Sequence, residues 1–235
     1  MVCVLTDGSG QRGEGRLEST TRVLARTGAR PGPIYGRMTD RALYEAILDG
    51  NVDLFCRLAN ELSDTIVAQG ATCVLGDAAE GYNPCHDVCR LVINAATRMA
   101  SRVRGVAIEN LDFAVVGAPD TAPSVRRDGS VHLALSDHAL ARKLETASGY
   151  PEMAGEVASA LERFGLAPFQ HEVLRTVEPD DRLAWTSADK PFYEQHGERR
   201  VAEGAYDRVL RFREHVVPVA EALWSYSTNY GTHGH

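Results

Sequence analysis

Residues 76–87 bring together most of the groups in this sequence that could carry out chemistry. Asp77, Glu80 and Asp87 can accept protons, Tyr82 and Asn83 can hydrogen-bond a polar substrate, and His86 can ligate a metal or move a proton near neutral pH. A plainer reading makes Gly81 and Asn83-Pro84 turn residues and His86 a cap of the following helix. Polar side chains of so many kinds seldom gather on a loop for folding reasons alone, so this stretch is the first candidate site. Within it Asp77 or Glu80 is the candidate acid/base and His86 the candidate metal ligand.

Cys85 and Cys89 are four apart and share a helix face, with His86 beside it, which outlines a thiolate and imidazole zinc corner. A structural zinc usually takes four ligands, and no second Cys/His pair at zinc spacing occurs, so buried inert thiols are the competing reading. His132, His138 and His171 stand alone on patterned segments. A second candidate is the G-x-G-x-x-G of Gly8, Gly10 and Gly13 between a strand and a helix, where small residues let backbone amides approach a pyrophosphate. A dinucleotide site also needs a second strand ending in an acid about 20 residues on. Residues 29–33, Ala-Arg-Pro-Gly-Pro, offer neither, and a Gly-rich loop without a ligand is the alternative.

The elements that must position these groups follow from periodicity. Val2 to Thr6 is an apolar run that stops at Asp7-Gly8, as a buried parallel strand does. Helices are predicted from residue 17 to Gly28, from the Thr39-Asp40 cap to residue 48, and over 52–70. A strand over 71–75 runs into the candidate loop and gives way to a helix over about 85–103. Strands at 111–116 and 131–135 precede helices at 136–148 and 151–164, and the chain from 190 is mostly helical. There Val209, Phe212, Val216, Val219 and Leu223 are spaced for one buried stripe. This alternation predicts an α/β fold, a single domain over 1–235, with a Rossmann-like, parallel-rich sheet flanked by helices and a helical C-terminal tail from about 190 to 235. The candidate loop then lies outside the carboxyl end of a strand, where open α/β sheets bind ligands.

Composition removes several classes. Of 235 residues, 44% are hydrophobic and 24% charged, enough for a core of ordinary size. Asp+Glu 32 exceeds Lys+Arg 25, and the net charge of −7 leaves no broad basic face for nucleic acid. The N-terminus lacks a basic region followed by an apolar stretch, and no run of about 18 apolar residues occurs, which predicts a cytoplasmic protein without a membrane span. Five cysteines, odd in number and irregular in spacing, predict reduced thiols.

The order of Thr6-Asp7-Gly8, Arg16-Leu17-Glu18 opening a helix, and Tyr82-Asn83-Pro84-Cys85-His86 after the next strand resembles the PIG-L or LmbE-like deacetylases, metal-dependent hydrolases of N-acetylated sugars. Arg142-Lys143-Leu144 and Glu172 resemble that family's later Lys-containing helix and Glu-containing segment, so the likeness covers about residues 2–175. It implies that His86 stands at the zinc His of a His-Pro-Asp-His segment, with Asn83 where the family has its first His and Cys85 where it has Asp. The family's early His-Pro-Asp-Asp segment, source of two zinc ligands and a general base, has no counterpart in this sequence.

The resemblance thus implies a hydrolase that removes an N-acyl group from a small, polar, sugar-like substrate. Zinc or another divalent metal would sit at His86, Asp77 or Glu80 would act as acid/base, and Asp7, Arg16, Asp40, Tyr82 and Asn83 would face the substrate. A truncated or inactive member is its other form. The alternatives are a non-catalytic relative that binds a ligand or partner, and a nucleotide-binding enzyme using the loop from Gly8 to Gly13. An open sheet edge where the early segment would lie is expected to pair with a second copy of the chain.

Overall fold

A computed structural model describes residues 1–10, 13–118, 129–178 and 190–230. In chain order the elements are β1 (Val2–Thr6), α1 (Leu17–Thr27), β2 (Pro31–Met38), α2 (Asp40–Leu48), α3 (Val52–Ala68), β3 (Cys73–Asp77), α4 (Pro84–Arg104), β4 (Glu109–Phe113) and β5 (Val131–Ala134). They are followed by α5 (Asp137–Ser148), α6 (Ala154–Phe164), β6 (His171–Thr176), α7 (Phe192–Ala202) and α8 (Val217–Asn229). This is a mixed α/β chain. It gathers into two compact units, one of residues 1–41 and 116–175, the other of residues 42–115 and 176–235. Each unit is built from two separate stretches, so no single linker marks a boundary in the sequence.

In the first unit β1 and β2 pair in parallel, Val2 opposite Pro31, Val4 opposite Tyr35 and Thr6 opposite Met38, with register shifts between them. The expectation that residues 29–33 hold no strand is corrected here. Pro31 and Pro33 supply no amide to a regular ladder, but an irregular pairing tolerates them. Gly32 and Gly36 let the chain pass close to Cys3 and Leu17, and Gly36 has φ +63°, a conformation that favours glycine. α1 follows β1 and ends at left-handed Gly28. β5 and β6 pair antiparallel, Val131 opposite Leu174 and Ala134 opposite His171. Ser136 caps α5 by accepting from the Ala139 amide. β6 was not predicted, because its half-buried residues alternate too weakly to show a period of two.

The second unit is organised around α4. On one side β3 and β4 pair in parallel register from Cys73 opposite Glu109 to Asp77 opposite Phe113. On the other, α3 and α8 pack against α4. Small residues on α4 allow close approach: Ala96 and Ala100 are fully buried with Ile66 and Ile108, and Leu62, Val67, Ala71 and Val74 pack around them. The tail is helical but interrupted, since residues 203–211 form no α-helix between α7 and α8. The buried stripe is consequently Leu210, Val216, Val219 and Leu223 rather than one that includes Val209. Trp224 stacks under the Arg98 guanidinium at 4.0 Å, and Arg102 donates to the carbonyls of Ser227, Thr228 and Tyr230 that end α8. Among the described residues no helix is long and apolar enough to cross a membrane.

Arg90, in the middle of α4, is fully buried. Its Nε donates to the Asp77 carbonyl at 2.7 Å, Nη1 to Asn110 Oδ1 at 2.9 Å, and Nη2 to the Leu111 carbonyl at 3.2 Å. Asn94 Oδ1 accepts from Asn110 Nδ2 at 2.9 Å and completes the network. One guanidinium therefore ties the helix to the end of β3 and to the middle of β4. Gly76 leaves it room, because a Cβ there would lie 2.6 Å from Ile93 Cδ1 and 2.8 Å from Arg90 Nη2. Arg90→Met should orphan buried acceptors and lower unfolding stability by about 3 kcal/mol or more. Gly76→Ala should lower it by about 2 kcal/mol through overpacking. Urea titration checks both, and midpoints equal to wild type would show that the network bears no weight.

Candidate functional site

The candidate loop begins where β3 ends. Ala78 donates its amide to the Phe113 carbonyl, prolonging the strand pair by one residue before the chain turns away. Asn83 has extended backbone and accepts from the Cys85 amide at 2.9 Å, and Pro84 takes the first helical position, where its missing N–H costs nothing. The helix cap is therefore Asn83 rather than His86. One turn in, Asp87 reaches back to close the loop, accepting from the amides of Glu80 at 3.0 Å and Gly81 at 3.2 Å. Gly81 sits at φ +68°, which the tight return requires.

His86 projects from the first turn of α4 toward the end of β3. Its Nδ1 lies 2.6 Å from Asp77 Oδ2, and both side chains are about one-third exposed. A carboxylate so placed favours hydrogen on Nδ1 and orients the ring. Glu80 Oε2 accepts from the Val115 amide at 2.8 Å, a structural bond that also holds the chain leaving β4. Tyr82 is half exposed, and its ring stacks on Phe192 at the start of α7.

Behind the loop several polar side chains are buried. Asp87 is 4% exposed, and burial raises its carboxyl to about 6 although the two amides and His86 pull the other way. Burial likewise pushes up the Tyr193 hydroxyl, with the negative charges of Asp87 and Glu194 adding to it. Tyr44 is raised to about 12, again chiefly by burial.

Asp77, Glu80, Tyr82, Asn83 and His86 thus share one loop and helix start in the second unit. Asp7, Arg16 and Asp40 belong to the first, where they surround the glycine turn. Asp7 Oδ1 accepts from the Ser9 amide at 3.0 Å, Asp40 Oδ2 from the Gly10 amide at 2.6 Å, and the Arg16 side chain packs on Gly8. Gly13 donates to the Ser9 carbonyl. The amides of Ser9, Gly10 and Gly13 are already donating, the first two to carboxylates that repel phosphate. Gln11 and Arg12 of this motif lie outside the described residues.

A zinc site needs three or four converging donors. Among the described residues no group of three His, Cys, Asp or Glu side chains is placed to hold a metal ion. His86 presents one nitrogen to Asp77, and the five cysteines form no disulfide. The described donor set does not fit zinc.

Arg90, Phe192 and His196 were not singled out from sequence. A signal for Arg90 existed, because His86, Arg90, Asn94 and Thr97 share one helix face as a polar stripe. None existed for the rings of α7, more than a hundred residues from Tyr82. No protein-family model, curated protein or solved structure matches this chain.

Asp87 should make stability fall as pH rises. Its carboxyl binds a proton more tightly folded, at about 6, than unfolded, at 3.8, so its contribution is complete below pH 4 and lost by pH 6 to 7. The difference is about 3 kcal/mol. Asp87→Asn should remove that slope in urea titrations between pH 4 and 7, and a slope identical to wild type would contradict the assignment.

Proposed function

We propose that the chain is a hydrolase that removes an N-acyl group from a polar, sugar-like substrate, as the resemblance to PIG-L or LmbE-like deacetylases implies, with His86 as its acid/base. The observation that carries this reading is the 2.6 Å contact of His86 Nδ1 with Asp77 at the carboxyl end of a parallel strand. A Rossmann-like arrangement belongs to the same proposal, supported by two parallel pairs, β1 with β2 and β3 with β4, whose strands are each connected through helix.

In this reading Asp77 is a positioning residue. It accepts a hydrogen bond from Nδ1–H and stabilises the imidazolium, while Nε2 takes a proton from the water that attacks the amide carbonyl and returns it to the departing amine. Glu80, Asn83 and Asp87 hold the loop that frames the reaction, as their bonds to Val115, Cys85 and residues 80 and 81 suggest.

Acetate release from a panel of N-acetylglucosamine-containing compounds tests the proposal. His86→Ala should lower kcat by about a hundredfold or more with little change in KM, and Asp77→Asn should act in the same direction. Activity should survive dialysis against EDTA. Loss restored by zinc would instead return a metal to His86. No acetate from any member of the panel, or turnover indifferent to His86, would sink hydrolysis and leave a ligand-binding relative.

A further inference from the structure

The second unit also carries a row of rings, the first of which, Tyr82, belongs to the candidate loop. Phe192 opens α7 and His196 follows one turn later on the same face. Tyr82 and Phe192 stack with centroids 5.0 Å apart and planes 14° apart, and Phe192 and His196 with centroids 5.8 Å and planes 22° apart. Tyr206 closes the row edge-on to His196 at 6.4 Å. Despite these contacts Tyr82 remains 50% exposed and Phe192 46%. Folding alone favours burying rings of this size, so a pre-stacked, open pair is a surface suited to another ring.

The rim decides which ring. Within five residues of Tyr82 the chain places Asp77, Glu80, Asn83 and His86, all of them partly exposed. A pyranose has a face of C–H bonds and an edge of hydroxyls, matching an aromatic floor with a polar, proton-accepting rim. The carboxylates there disfavour a phosphate-bearing nucleotide. We propose that Tyr82, held in place by Phe192 and His196, is the floor on which the sugar ring of the ligand stacks. Tyr82 thereby contributes its ring face, and α7 contributes to specificity. The assignment rests on the reading of this loop as a substrate site.

Saturation-transfer NMR of the full chain with the methyl glycoside of N-acetylglucosamine tests it. Transfer should be strongest at the ring C–H protons. Tyr82→Ala and Phe192→Ala should weaken binding by up to about tenfold. Tyr82→Phe, which keeps the ring, and His86→Ala should both retain it. Transfer undiminished in Tyr82→Ala, no transfer to the wild-type chain, or transfer to the base protons of adenosine in place of the sugar would each overturn the floor. Both positions are half exposed, so the variants should melt as wild type does, and Tyr82→Phe separates loss of the ring from loss of the fold. Ring-dependent binding without turnover would overturn the catalytic reading alone. Turnover with binding indifferent to the rings would overturn the floor alone.

Discussion

The second unit depends on one buried cation. Arg90 has no exposed surface, and a guanidinium removed from water must find acceptors for its donors or destabilise the fold by several kcal/mol. It finds them at the Asp77 carbonyl, where β3 ends, and at Asn110 and the Leu111 carbonyl within β4. The place where β3 stops is therefore set by the helix that follows it. Asp77 is fixed through its backbone by Arg90 and meets His86 through its side chain, one turn earlier on the same helix face. The same interaction that completes the strand pair brings the candidate acid/base residues together.

Polar groups elsewhere satisfy the backbone and thereby limit what they can do. Asp87 gathers two loop amides, Glu80 takes a third, and Asn83 caps α4. In the first unit Asp7 and Asp40 do the same for the glycine turn. Carboxylates engaged this way hold loops in defined shapes, which is what a site on a loop requires. In that turn the Ser9 and Gly10 amides face carboxylates and the Gly13 amide faces the Ser9 carbonyl.

Local signals carried much of the secondary structure. The helix over 85–103, the stop at Gly28 and the cap at Ser136 were legible because each rests on bonds within a few residues. The strands were less so. β2 was hidden behind Pro31 and Pro33, and its pairing is stated only by β1, some thirty residues earlier. Residues 76–87 stood out by composition, but composition could not divide their roles. Asn83 and Asp87 turned to the backbone, and His86 turned to Asp77.

What the sequence by itself determined is the inventory: an acidic chain of ordinary core size, its helices and their caps, and a loop dense in proton-accepting groups. Those follow from residue type and short-range periodicity. Only the tertiary structure decided that Arg90 is interior, that the chain gathers into two units each made of separated stretches, and that Phe192 and His196 stack behind Tyr82. Such pairings join residues distant in the chain, and their energy depends on burial and geometry that no local pattern encodes.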